Sequence, residues 1–245
     1  TFKIEEHGAY ARTDCIESIE SVGVSINVDP VGPNPVQKLP AEGSYTPDTL
    51  LAEYVSPPFS EMIKLVLKVS HNYGANLSLI LFGLNKGVRT VDDSLEQERI
   101  MLTEVFGVPG DGFDFPTNGS GSPDSEASPR AVTTLLEAMS MTDVFAPYFT
   151  AFPILGVDGS LKFIDPGSVA AGNVRAKTGT SVGFDPDIDS LVLRAKSLGG
   201  FIDAVSGRRV IFAVFVNNVP IQAVSDVQEI NDDLARIATA IYSLN

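Results

Sequence analysis

Val174-Arg175-Ala176-Lys177-Thr178-Gly179-Thr180 opens the strand-rich end of this 245-residue chain, and its reading decides the fold. Downstream, residues 197–205 carry Leu198, Phe201 and Ile202, and residues 209–217 carry Val210, Ile211, Phe212, Val214, Phe215 and Val216. Runs this rich in β-branched and aromatic residues predict two strands, with Ser206-Gly207 as the hairpin turn. Residues 228–244 place Ile230, Leu234, Ile237, Ala240 and Ile241 at helical spacing, which predicts a closing helix with one apolar face. Upstream, residues 60–83 form the longest helical region, with Met62, Ile63, Leu65, Val66, Leu67 and Val69 before a polar break at Ser70-His71-Asn72 and a second apolar stretch at 77–84. Pro57-Pro58 and then Ser60-Glu61 mark its start. A break between two buried helices puts short polar side chains at the edge of a cavity.

The remaining chain fits around these two elements. Residues 9–22 read as a helix stopped by Gly23, and residues 24–28 and 51–55 read as short strands. Residues 30–49 hold five prolines and two glycines, so they read as an ordered loop. A helix is expected over 90–106 after an Asp92-Asp93-Ser94 cap, and another from Pro129 to Met139 with Ser128 as cap. Residues 108–129, rich in Gly, Pro, Ser and Asp, read as a loop that Asn118-Gly119-Ser120-Gly121-Ser122 shapes. Helices, then a hairpin sheet, then a terminal helix favour an α+β fold over a parallel βαβ one.

Composition narrows the function classes. A net charge of −14 leaves no basic stripe to neutralise phosphates, which disfavours nucleic acid and anionic membrane surfaces. Cys15 is the single cysteine, so no internal disulfide forms, and its bland reading is a small buried apolar residue. His7 and His71 are the only histidines, and no Cys/His cluster points to a metal. No apolar run approaches the ~20 residues of a membrane span. No signal-peptide pattern is read, and Thr1-Phe2-Lys3 lacks an initiator Met, so the chain reads as a mature product or a piece of a longer one.

Ser70-x-Asn72 and then Lys177-Thr178-Gly179-Thr180, about a hundred residues apart, are two of the three motifs of penicillin-interacting serine enzymes. The third, S-x-x-K, is absent: no serine here has a lysine three residues later. Further landmarks keep the same order: Val55-Ser56-Pro57-Pro58-Phe59-Ser60-Glu61 before Lys68-Val69-Ser70, Gly119-Ser120-Gly121 before Ser128-Pro129-Arg130, Gly159-Ser160-Leu161, and Leu198-Gly199-Gly200-Phe201. From about Tyr10 onward the chain resembles the D-alanyl-D-alanine carboxypeptidase/endopeptidase family, the class C low-molecular-mass penicillin-binding proteins. The resemblance implies an α+β serine β-lactamase/penicillin-binding-protein fold, an antiparallel sheet packed with helices, incomplete in this chain. Residues 1–245 would be the C-terminal part of that domain: a Pro-rich loop at 30–50, a mainly helical region with S-x-N at 60–155, and the K-T-G strand, hairpin and last helix at 174–245. Two outer strands and the S-x-x-K helix would come from an N-terminal half.

The resemblance also implies site roles. Ser70 would relay a proton to the leaving amine, because a hydroxyl donates and accepts at once. Asn72 would hydrogen-bond the substrate amide, and Lys177 would set a positive potential and hold Ser70. Thr178 and Thr180 would bind the terminal carboxylate, Gly179 would let the strand approach the substrate, and the Thr180 N–H would serve as an oxyanion donor. His71 is read as adjacent to the cleft and not as a base, and Arg12 and Arg175 as structural or solvated. Expected partners are a peptidoglycan stem peptide ending in D-Ala-D-Ala, β-lactams and the N-terminal half. No cofactor is implied, since side chains carry the acyl transfer. The implied location is periplasmic or extracellular, with membrane association left open. One departure is residues 181–197, expected as an acidic loop at the cleft rim where the family returns quickly to its next strand. Three functions stay open: a carboxypeptidase/endopeptidase fragment, a non-catalytic module binding peptidoglycan peptides or a protein, and a β-lactamase- or esterase-like hydrolase.

Overall fold

Two helices meet at Ser70, and the sequence break expected there is a sharp one. Helix α2 (Phe59–Val69) ends when Ser70 turns to φ 56°, ψ 53°, and α3 (Asn72–Asn85) starts two residues later. A left-handed residue without glycine costs on the order of 1 kcal/mol, which its surroundings must offset. Here His71 caps the next helix: its Nδ1 accepts the Gly74 N–H at 2.9 Å. Gly74 has to be glycine, because a Cβ would lie 2.6 Å from Val66 Cγ2 and 2.9 Å from that same Nδ1.

The computed structural model describes residues 6–32, 37, 40–41, 43–50, 52–121 and 125–245. They divide into two units, Thr1–Ser56 and Pro57–Asn245. The first unit holds α1 (His7–Ser21) and a 3-10 turn, Pro47–Thr49, in its proline-rich stretch. Arg12 Nη1 and Thr13 Oγ1 both donate to the Pro30 carbonyl, at 2.9 and 2.6 Å, and tie the following segment back to α1.

The second unit carries the remaining named elements. Helices α4 (Val91–Ile100), α5 (Pro129–Ser140) and α6 (Phe145–Ala151) follow α3. Helix α4 runs on into one π-helical turn, Met101–Val105. Between α4 and α5 lies a two-stranded ladder of β1 (Phe113–Asp114) and β2 (Glu126–Ala127). The main sheet is antiparallel, ordered β3 (Val174–Asp185), β4 (Ser190–Asp203), β5 (Arg209–Ile221), and α7 (Asp226–Leu244) closes the chain.

Period-two alternation gives the sheet two apolar faces. Val174, Ala176, Leu198, Ile202 and Phe212 pack on Leu234, Ala235 and Ala238 of α7. On the other face Phe201 joins Phe152 and Leu136, with Leu67, Phe145, Phe149 and Ile211 around them. The rings of Phe145, Phe149 and Phe152 stand edge-on to Phe201 at centroid distances of 5.4, 5.4 and 5.7 Å, the geometry that aromatic quadrupoles favour. The α+β fold with an antiparallel sheet between helices is therefore the one expected.

Several local expectations are corrected. Residues 24–28 form no strand, and neither do 52–55, while Leu51 lies outside the described residues. Val24, Val28, Tyr54 and Val55 are exposed, so their alternation has no sheet to join. Thr90, not the Asp92-Asp93-Ser94 run, caps α4: its Oγ1 accepts the Asp93 N–H at 3.1 Å. Ser94 is instead buried against α3, where Gly83 makes room for it. Cys15 is exposed, not buried. Residues 181–197 are no loop but the far half of the β3–β4 hairpin, where Phe184 pairs with Leu191 and Asp185 with Ser190. The apolar residues Val182, Phe184, Leu191 and Leu193 alternate well enough to continue the ladder, and the acidic residues gather at the turn. No helix of the described residues is long and apolar enough to cross a membrane.

Candidate active site

Ser70 and Lys177, 107 residues apart in sequence, are brought into direct contact: Lys177 Nζ donates to Ser70 Oγ at 2.8 Å. The ammonium also donates to the Thr178 carbonyl at 2.6 Å. Ser70 Oγ thus accepts from a cation, which leaves its own proton free to be given elsewhere. Asn72 stands exposed at the first position of α3, on the same break.

One short segment sets this gap. Lys68, the last basic residue of α2, is bound by Asp158 at 2.7 and 2.6 Å and by the Phe152 carbonyl at 2.5 Å. Its side chain is only 15% exposed, so the carboxylate is a needed counterion and not a surface ornament. The same carboxylate accepts the Ile154 N–H at 2.9 Å. Residues 153–155 then bond the start of β3, Leu155 N–H to Val174 O and Ala176 N–H to Pro153 O, each at 3.0 Å. The end of α2 and the start of β3 are therefore fastened to one piece of chain. Gly159, at φ 59°, passes so close to the Lys68 carbonyl that a Cβ would lie 2.6 Å from it.

Pairing along the outer edge of β3 stops at Ala176. Among the described residues, the only strand that 177–180 pair with is β4 on their inner side, with Lys177 opposite Gly199 and Thr180 opposite Lys196, while the Thr178 carbonyl is taken by Lys177 Nζ. An edge of this kind is free to add a peptide strand. Gly179 allows a second close approach, because a Cβ there would lie 2.5 Å from Ser197 Oγ. Thr178 and Thr180 share the sheet face that carries Leu198, opposite to the face of Lys177. The expected cluster is thus split: Ser70 and Lys177 are joined, and the two threonines lie around the strand from them.

Sequence reasoning missed three residues here. Lys68 stood only as part of the run before Ser70, with no role given to its charge, and Asp158 gave no motif signal. Lys196 did: it alternates with Leu198 in β4, so a cation falls on a core-facing position where lysine is rarely found. It is 3% exposed, and its Nζ donates to Thr180 Oγ1 at 2.6 Å. Burial lowers Lys177 from the usual 10.5 to about 8. Lys196 falls to about 8 as well, from burial first and then from the charge of Lys177.

A concavity of about 930 Å³ begins beside the K-T-G run at Ser181 and extends under the β1–β2 ladder. Asp111, Asp114, Glu126 and Asp185 line it, with Arg194 among them. The glycine-rich loop is held against α3, where Ser120 N–H donates to Asn76 Oδ1 at 2.8 Å. The Arg175 guanidinium lies 4.9 Å from the Phe149 ring centre. Among the described residues no three His, Cys, Asp or Glu side chains gather to hold a metal.

Solved structures of penicillin-interacting proteins share this fold. Penicillin binding protein 4 (dacB) from Haemophilus influenzae, solved with a β-lactam, superposes at a TM-score of 0.73 and 21% identity, over 99% of this chain and 53% of its own. A class A β-lactamase from Bacteroides cellulosilyticus superposes at 0.54 and 16% identity, over 95% of this chain and 80% of its own. The chain belongs to the D-Ala-D-Ala carboxypeptidase 3 (S13) family, which it matches over residues 2–241. The D-alanyl-D-alanine carboxypeptidase DacB of Haemophilus influenzae is 25% identical over 231 residues, 89% of this chain and 42% of the relative. The chain thus spans about half the length of the Haemophilus relatives it matches.

Two outcomes are expected from this geometry. Asp158→Ala should lower stability by about 1–3 kcal/mol, since it strands a largely buried ammonium, and Lys68→Met in the same chain should recover much of the loss. Equal urea midpoints for Asp158→Ala and the parent would contradict the role given to the pair. The lysines predict a pH effect. Below about pH 8 each is charged folded and unfolded, and its burial counts against the fold. Between about 8 and 10.5 the unfolded chain holds the extra proton, so stability should rise with pH. Tyr148, raised by burial, opposes this above its ordinary 10.0, so urea midpoints should climb from about pH 8 to just below 10 and climb less in Lys177→Met.

Proposed function

We propose that this chain supplies two walls of the acyl-enzyme site of a serine-type D-Ala-D-Ala carboxypeptidase. The observation that carries the reading is the 2.8 Å contact between Lys177 Nζ and Ser70 Oγ, which joins the two motifs across the cleft. The nucleophile and its lysine lie in a preceding part of the same polypeptide, because no S-x-x-K occurs within these residues. In the reaction, the nucleophilic oxygen attacks the carbonyl of the penultimate D-Ala while the neighbouring lysine takes its proton. Ser70, held as an acceptor by Lys177, passes a proton to the leaving amine as the C–N bond breaks. Asn72 bonds the substrate amide, and Thr178 and Thr180 receive the terminal carboxylate. The open edge of β3 aligns the peptide, and the Thr180 N–H with the nucleophile's own N–H stabilises the oxyanion. Water then hydrolyses the ester. The substrate is a peptidoglycan stem peptide, β-lactams occupy the same cleft, and the site of action is outside the cytoplasmic membrane.

A second reading keeps the fold as a peptide-binding module without chemistry, and the absence of S-x-x-K from this chain favours it. Release of D-alanine from an acyl-D-Ala-D-Ala peptide by the polypeptide extended upstream separates the two. The carboxypeptidase reading predicts release, with Ser70→Ala lowering kcat/KM by roughly 100-fold or more. Release that Ser70→Ala leaves within a factor of two, or no release at all, would sink it.

A further inference from the structure

Lys196 is the most unusual charge in the molecule. A lysine at 3% exposure normally has a carboxylate beside it. Its only hydrogen-bond partner among the described residues is the neutral Thr180 hydroxyl, at 2.6 Å. Lys177, three residues from Thr180 on the same strand, likewise bonds only a hydroxyl and a carbonyl. Two ammonium groups therefore flank one short stretch of strand with no carboxylate of the described residues bonded to them, in a chain with 31 acidic and 17 basic residues. Counterions are abundant in the sequence, and among the described residues none bonds either ammonium.

The hydrogen-bond direction gives this arrangement a use. An ammonium can only donate, so Thr180 Oγ1 accepts from Lys196 and its single proton must point elsewhere. The register places Thr180 opposite Lys196, with Thr178 on the same face two residues away at the unpaired edge of β3. Both hydroxyls are thus presented together, and one has its rotor fixed by a cation behind it. Donation to an anion is strengthened when the donor is itself bonded to a positive group.

We propose that Lys196 is a positioning and specificity-determining residue for carboxylate recognition at this strand edge, acting through Thr180. It selects a ligand with a free carboxylate beside the scissile amide over the same ligand with a neutral end. The proposal rests on the reading of Thr178 and Thr180 as the carboxylate site, and it deepens that reading by naming what charges it.

The test is binding, which needs no nucleophile. N-acetyl-D-Ala-D-Ala and its C-terminal carboxamide are titrated into the 245-residue chain and followed by amide NMR at 178–180. The parent should prefer the carboxylate, and Lys196→Met should lose roughly tenfold of that preference with carboxamide binding unchanged. Lys196→Arg should restore most of it, and Thr180→Val combined with Lys196→Met should be no worse than Thr180→Val alone. Lys196→Met replaces a buried charge by a similar volume, so its urea midpoint should not fall. No preference in the parent, equal loss for both ligands, or an unchanged preference in Lys196→Met would each overturn the proposal. D-alanine release without this dependence sinks the Lys196 role alone, whereas Lys196-dependent binding without release sinks the hydrolase reading alone.

Discussion

The Lys68 ammonium, gripped by Asp158 and the Phe152 carbonyl, sets the distance on which the site depends. Taken alone, a half-buried ion pair adds little net stability, because desolvation offsets most of its attraction. Its value lies in position. The segment that holds Lys68 also bonds Val174 and Ala176, one residue short of Lys177. A helix and a strand from distant parts of the sequence thus share one support, and Ser70 and Lys177 meet without a long loop between them. Under the proposed function the support matters more for chemistry than for folding, because catalytic groups lose rate steeply when displaced by even an ångström.

Charge is distributed with the same economy. The chain is acidic overall, yet the K-T-G strand and its neighbour β4 bring two ammonium groups, Lys177 and Lys196, to one place with no carboxylate among the described residues bonded to them. The acidic residues appear instead one step away, around the concavity that starts at Ser181. An anionic ligand end and a cationic side chain would therefore be drawn to neighbouring but separate places, and global net charge says nothing about either.

Much of this was legible in the sequence. The break at Ser70 showed as polar residues between two apolar runs, the β4–β5 hairpin as paired apolar runs around Ser206-Gly207, and α5 as Ser128-Pro129 before its periodic face. Motif order brought Ser70 and Lys177 together on paper, and the hydrogen bond brings them together in space. What stayed hidden depends on partners. The alternation at 24–28 mimicked a strand because sequence does not show whether a neighbouring strand exists, and the acidic residues at 185–189 masked a hairpin whose pairing runs on from Lys177. The pairing of Lys68 with Asp158 carries no local signal, since it arises only when residues 90 apart touch. Lys196 was visible in principle as a cation on a core-facing strand position.

The most direct measurement is the intact mass of the protein after incubation with a reactive penicillin, on this chain alone and on the polypeptide extended upstream. The proposed division of the site predicts a single covalent adduct on the extended polypeptide and none on this chain. An adduct on this chain alone would show that a nucleophile lies within it, and no adduct on either would leave a binding module in place of an enzyme.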